Sequence, residues 1–251
     1  MIQLIHGDCL DEMKKIPHGS IDLVLTDPPY GTTACKWDTV IPFKPMWEQL
    51  NRIIKPNGAI VLFGSEPFSS ALRMSNIKHY KYDWVWEKER PTNIFTIKNM
   101  AGKVHENISI FYFSLPTYNP IMENSIQQNN NNGNKSQSGD MNAIEAFGKT
   151  KTSISKDYNS KKRYPRSVIR IPRGTRGNKK FHPTQKPVAL MEYLIKTYTN
   201  EDEIVLDFTM GSGTTMLACK NLNRNGIGIE LDPEYFEIAK ARIDALPGTL
   251  F

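Results

Sequence analysis

The stretch 203–230 limits this chain to few folds. Glu203-Ile204-Val205-Leu206-Asp207 is a short apolar run closed by an acid. Phe208-Thr209-Met210-Gly211-Ser212-Gly213-Thr214-Thr215 follows, then a helical pattern over 216–222, then Gly226-Ile227-Gly228-Ile229-Glu230. Strand, glycine loop, helix and strand in that order make a unit whose strands run parallel and whose helix covers the sheet. Similar runs at 2–8, 58–64, 82–86 and 108–113 alternate with helical patterns near 10–15, 45–54 and 67–77. The expectation is an α/β fold, doubly wound on a mostly parallel sheet covered on both faces, with Trp84, Trp86 and Phe113 in the core. At 251 residues and 39% hydrophobic content, the chain suffices for one core and an inserted lobe, not for two large domains.

The glycine loop carries a second message. Gly211 and Gly213 permit positive φ and the close approach of a ligand to the backbone, and the loop opens a helix whose free N–H groups point into the site. Glu230 ends the next strand, where an acid in a nucleotide-binding α/β unit hydrogen-bonds ribose hydroxyls. A nicotinamide oxidoreductase fits the loop alone, but the third glycine of that fingerprint is missing.

Asp27-Pro28-Pro29-Tyr30 closes another apolar run, Ile21-Asp22-Leu23-Val24-Leu25-Thr26. Two prolines cannot extend a ladder, so the strand stops and the chain is held stiffly. Asp27 and the Pro28 carbonyl can each accept one hydrogen of an exocyclic amino group, while Tyr30 offers a face for stacking. Two acceptors aimed at one amine turn its lone pair outward. The bland alternative is an acidic turn after a buried strand.

Together these motifs resemble the S-adenosylmethionine-dependent DNA amino-methyltransferases of the adenine-N6 and cytosine-N4 family, in the permuted β group whose catalytic motif precedes the cofactor loop. His182-Pro183-Thr184-Gln185-Lys186-Pro187 matches the family segment that folds over the methionine end of the cofactor, and Pro187 suits a helix start over 188–199. The resemblance covers 1–114, as the catalytic half of a circularly permuted Rossmann-like domain, and 181–251, as its cofactor-binding half. It implies catalytic roles for Asp27, Pro28, Pro29 and Tyr30. It implies cofactor contacts from Asp8, Cys9, Thr184, Gln185, Lys186, Asp207, Phe208, Gly211, Ser212, Gly213, Thr214 and Glu230. Asp8 resembles the acid that holds the cofactor's adenine amino group, and it also suits a helix cap. The family's usual Asp-Pro-Phe is here Asp207-Phe208-Thr209, so Phe208 either meets the adenine or packs inward.

Ligands of open α/β sheets sit beyond the carboxyl ends of the strands, where strand order reverses. The strand ending at Asp207 is therefore expected beside the one ending at Thr26, with the Glu230 strand and then the first strand on its other side. The expected chemistry is direct in-line methyl transfer with Asp27 as hydrogen-bond acceptor. A base must leave the duplex to reach such a site, and Tyr30 would replace its lost stacking. Methylation of a ring carbon of cytosine usually needs a thiolate to add to the ring first, and Tyr30 stands where the family that does this carries cysteine; Cys35 reads as a free thiol. Acid-first Asp-Pro-Pro-Tyr resembles the adenine enzymes; the amino group of cytosine, an RNA or protein amino group, and a binding subunit without catalysis are the alternatives.

Charge locates the substrate side. Residues 149–180 hold twelve Lys and Arg against Asp157 alone, while the whole chain carries +6. With Tyr158, Tyr164 and Phe181 interleaved, this stretch reads as a nucleic-acid contact through Lys161, Lys162, Arg163, Arg166, Arg173 and Arg176. Residues 115–180 read as a target-recognition insertion in which the Asn- and Gln-rich tract near 127–139 is a mobile surface loop. No apolar run approaches the roughly 20 residues of a membrane span, and no charged leader precedes an apolar stretch. Isolated Cys9, Cys35 and Cys219 imply neither metal nor disulfide. A cytoplasmic bacterial or phage-borne enzyme is expected, with duplex DNA as partner and, by resemblance, a second copy of itself and a cognate restriction endonuclease.

Overall fold

The computed structural model describes residues 1–33, 38–124, 162–173 and 185–245. Cys35, Tyr158, Lys161, Arg176, Phe181, Thr184 and the polar tract near 127–139 lie outside them. Two compact units result: residues 1–119 together with 166–251, and residues 120–165.

The larger unit is built on β1 (Ile2–His6), β2 (Ile21–Thr26), β3 (Ile54–Gly64), β4 (Tyr80–Glu87), β5 (His105–Phe111), β8 (Val168–Arg170), β9 (Ile204–Asp207) and β10 (Asn225–Glu230). They form one sheet in the order β1-β10-β9-β2-β3-β5-β4-β8, parallel except where β5 runs against β3 and β4. Its strand order is the expected one: β9 lies beside β2 with Leu23 opposite Val205, and β10 and then β1 continue on the far side. All six β2 residues are buried, as a central strand covered on both faces requires.

Alternation along the strands divides the core into two layers. Leu23, Leu25, Val61 and Phe63 pack with Leu190 and Leu194 of α4 (Val188–Tyr198). Val24, Ile60 and Leu62 point the other way, onto Leu50 and Ile53 of α2 (Phe43–Ile53). The remaining helices are α1 (Cys9–Met13), α3 (Phe68–Ser75), α5 (Thr214–Asn221) and α6 (Pro233–Asp244). Among the described residues no helix is long and apolar enough to cross a membrane.

Three local expectations change. Trp84 and Trp86 are buried, but Phe113 is 39% exposed, because β5 ends at Phe111 and the chain has left the sheet. β8 joins the main sheet beside β4, so the separate unit is narrower than the expected 115–180 insertion. Helix α6 has no counterpart in the elements read from sequence, although Asp232 caps it and Pro233 opens it. In the smaller unit, β6 (Glu123–Asn124) pairs antiparallel with β7 (Lys162–Arg163), and Arg163 Nη2 lies 3.0 Å from Glu123.

Candidate active site

Strands β2 and β9 deliver their acids to one place. Thr26 donates to Asp207 through its hydroxyl at 3.0 Å and accepts from the Phe208 amide at 3.1 Å. Thr209 Oγ1 donates to the Asp27 carbonyl at 3.1 Å. The two strand ends are thus stitched together at the rim of a cavity of about 370 Å³, lined by Asp8, Asp27, Asp207, Phe208, Gly211 and Glu230 among others. This is the carboxyl end of the parallel strands, where ligands of open sheets bind.

The glycine loop forms one wall. Gly211 has φ 54° and donates its amide to Glu230 Oε2 at 2.8 Å, while Asp232 N donates to Oε1 at 2.8 Å. Each carboxylate oxygen has a second lone pair, so Glu230 can anchor both amides and still meet a ligand hydroxyl. Burial pushes its carboxyl up. Gly213 does not line the cavity. Its φ of 76° and a virtual Cβ 2.9 Å from Ala239 Cβ show that it serves the packing of α6. Arg242 of α6 donates to the Ser212 carbonyl and, at 2.9 Å, to Ser212 Oγ, and so braces the loop from behind.

Asp207 is 3% exposed and accepts from Thr26, Thr215 Oγ1 at 2.5 Å and Thr209 N at 3.2 Å. Burial raises its pKa to about 7 against the pull of these donors. Phe208 packs inward among Val24, Leu206 and Ile229 and still contributes to the cavity wall, which combines both readings of the displaced aromatic. Asp8 caps α1, accepting from Leu10 N at 2.8 Å, and also lines the cavity. Cys9 beside it is buried, and that burial, with Asp8 adding, lifts the thiol to about 12. Gln185 accepts from Ser212 Oγ at 3.4 Å, which sets the described end of the 182–187 segment against the glycine loop.

Asp27 is surrounded by more than expected. One carboxylate oxygen accepts from Tyr30 OH and the other from Lys186 Nζ. Lys186 also lies 3.3 Å from Glu106 Oε2, and Lys88 pairs with Glu106 Oε1. Both lysines are about 5% exposed at the side chain. Two ammonium groups and two carboxylates thus alternate as Asp27, Lys186, Glu106 and Lys88. Burial raises the Asp27 pKa, Lys186 opposes that, and Glu106 adds to it. Burial alone would lower Lys186, but the two carboxylates outweigh it and hold the ammonium up.

Several assignments shift accordingly. Lys186 reaches the Asp27 carboxylate as well as lining the cavity. Pro29 lines the cavity, whereas Pro28 and Tyr30 do not; the Tyr30 ring leans on Phe68 with centroids 5.0 Å apart. Its hydroxyl on Asp27, not a stacking face, is what the site receives from it here. Neither Glu106 nor Lys88 is among the site residues expected from sequence. The one signal for both is a charge where a strand meets a loop. Among the expected DNA contacts, Lys162 and Arg166 are exposed, Arg163 is paired with Glu123, and Arg173 donates its backbone amide to Glu89 at 3.1 Å. No group of three or more described acids, cysteines and histidines is arranged to hold a metal ion.

An acid-lined cleft at the switch point of a permuted α/β sheet, with an amide-bearing loop on one side and the Asp27 carboxylate on the other, has the make-up of a nucleotide-cofactor-dependent group transferase. Comparison with known proteins narrows this. The DNA methylase model of the N6_N4_Mtase family matches residues 21–241, and the chain belongs to that family. It is 31% identical to the type II methyltransferase M.HpaI of Haemophilus parainfluenzae over 97% of this chain and 74% of the relative. It is 30% identical to the DNA adenine methyltransferase YhdJ of Escherichia coli, over 96% of this chain and 82% of that one. The crystal structure of the M1.HpyAVI–SAM complex superposes with TM-score 0.63 at 28% identity, covering 96% of this chain and all of the other. The protein is an S-adenosylmethionine-dependent DNA amino-methyltransferase.

Proposed function

We propose that the protein methylates the N6 amino group of adenine in duplex DNA, with Asp27 as the group that receives the amine. The observation that carries this is the placement of Asp27. Its carboxylate stands at the end of β2, at the rim of the same cavity as the glycine loop and Glu230, and in contact with Tyr30 and Lys186. The residues fit the cofactor. Glu230 and Asp8 offer acceptors for hydroxyl and amino groups, Phe208 offers an apolar wall, and the acidic lining favours a cation. When bound, S-adenosylmethionine supplies an electrophilic methyl on a sulfonium.

The chain's own residues then position, exclude water and sharpen the amine. Lys186 holds the Asp27 carboxylate charged and aimed, and Asp27 accepts a hydrogen bond from the amino group, which leaves the nitrogen more electron-rich toward the methyl. Pro28 and Pro29 keep that geometry stiff. Asp207 is held by three donors and acts as the strut between the halves of the site. Support for adenine comes from the acid-first motif and from YhdJ, a relative named for adenine. The neighbour PvuII is named for cytosine-N4, but at 17% identity it speaks to the fold only. Duplex DNA reaches the protein through the basic 149–180 stretch, within a target-recognition region entered near 115. A second copy of the chain and a cognate endonuclease are partners of this reading, and a bacterial cytoplasm is its setting.

The test is incubation with labelled S-adenosylmethionine and unmethylated duplex DNA, followed by nucleoside digestion and mass analysis. N6-methyldeoxyadenosine is expected. N4-methyldeoxycytidine would overturn the adenine assignment, and label in protein or RNA alone would overturn the substrate class.

A further inference from the structure

The loop between β4 and β5 presents apolar side chains to water on a backbone that is firmly held. Phe95 is fully exposed, Ile94 is 67%, Met100 58% and Ile97 44% exposed. Isolated exposed apolar residues are ordinary, but four within seven positions make a patch that calls for a partner. The presenting backbone is tied across its base: Thr92 N donates to the Lys103 carbonyl at 3.0 Å, and Lys103 N to Asn93 Oδ1 at 2.7 Å. Asn93 Nδ2 donates to the Ala101 carbonyl at 3.0 Å, and a turn of 3-10 helix at Ile94–Thr96 lifts the tip. This is a built projection.

Its charge is one-sided. Arg90, Lys98 and Lys103 accompany the apolar residues along the loop, and no acid occurs from 90 to 105. Its position is tied to the chemistry. The stems of the loop carry Lys88 and Glu106, which pair with each other and, through Lys186, with Asp27. An apolar tip on a loop whose charges are all cationic, joined to a site proposed to take an extruded base, matches one partner chemistry: the stack of a duplex with phosphates on either side.

We infer that this loop is the wedge that enters the DNA beside the target, with Phe95 occupying the space the flipped base leaves and Arg90, Lys98 and Lys103 holding the flanking phosphates. The inference rests on the reading of the protein as a DNA amino-methyltransferase and adds the element that opens the duplex. Apolar wedges of Phe, Ile and Met unstack base steps in this way, and a base that is already unpaired needs less help.

The site methylated in plasmid DNA is first located by sequencing. Oligonucleotide duplexes then carry the target base either paired or opposite an abasic position. Phe95→Ala is expected to lower kcat/KM on the paired duplex by about tenfold or more, and to come within about twofold of the wild type on the abasic duplex. Phe95→Leu should keep most of the activity on both. Because Phe95 packs on nothing in the fold, the variant should unfold with the wild type in urea, and cofactor binding should be unchanged. Equal losses on both duplexes, or no loss on the paired one, would overturn the inference. So would a change from dimer to monomer in light scattering with no preference between the duplexes, which would make the patch a contact between copies. If the wild type methylated no duplex at all, the reaction assignment itself would fail, an outcome distinct from a wild type that works and an indifferent variant.

Discussion

Replacing Lys186 with methionine removes the one cation that lies between Asp27 and Glu106 while keeping most of the side-chain volume. The ammonium is about 5% exposed at the side chain, so water does not take its place readily. Truncating one partner of a buried pair costs about 3–5 kcal/mol, because the remaining charge is left uncompensated. Here two carboxylates remain, and each is pushed up in pKa: Asp27 loses its largest opposing influence, and Glu106 keeps only Lys88. A carboxyl whose folded pKa lies above its unfolded value of roughly 4 favours folding while protonated, and that advantage disappears as pH rises through the folded pKa. The variant should therefore fall short of the wild type by about 3–5 kcal/mol at pH 8 and by clearly less at pH 5. Urea unfolding at the two pH values measures this, and the acid limb of kcat against pH should move upward because Asp27 must be ionised to accept. A stability loss equal at both pH values, with the acid limb in place, would show that Lys186 only fills space.

Asp27→Ala should abolish methyl transfer and leave cofactor affinity within about threefold, read by calorimetric titration, since the carboxylate is assigned to the amine. Glu230→Ala should weaken cofactor binding by about 1–3 kcal/mol in the same titration, because it loses an acceptor and frees the Gly211 amide. Gly213→Ala should lower stability in thermal unfolding by about 1–3 kcal/mol, from a φ of 76° and a contact 2.9 Å from Ala239; unchanged stability would mean that the loop relocates freely. Neutralising Lys161, Lys162 and Arg163 together should flatten log affinity for DNA against log salt by up to about 2.7, at roughly 0.9 for each phosphate no longer neutralised. An unaltered slope would show that the stretch does not touch phosphates.

Sequence made the sheet legible because its rules are local and repetitive. Short apolar runs closed by an acid or a glycine mark β2, β3 and β10, and the switch-point rule puts Asp207 beside Thr26. Asp27, Glu230 and the glycine loop were legible for the same reason: each ends a strand. The strand β8 stayed hidden because Val168-Ile169-Arg170 is three residues with one buried side chain, too short for a period to show inside a basic run. The pair Lys88 and Glu106 stayed hidden because Glu106 matters through its contact with Lys186, 80 positions away, and Lys88 enters the cluster only through Glu106. The packing of Gly213 on Ala239 is not legible in sequence, because a glycine's freedom to take positive φ does not say whether a ligand or a helix occupies the other side.

The separation of Thr26 from Asp207 by 181 positions has a consequence during synthesis. At about 5–20 residues per second, roughly 10–35 s pass between the appearance of the two partners. Over that interval β2 and β3 exist while the edge of β2 that will receive β9 is bare, and β1 has no β10 to pair with. Asp27 likewise waits for the ammonium that will hold it. A nascent chain of this order is an open half-sheet with an uncompensated acid, without the cavity wall that residues 207–230 supply. Until β9 arrives, that bare edge is a template open to a chaperone or to another growing chain.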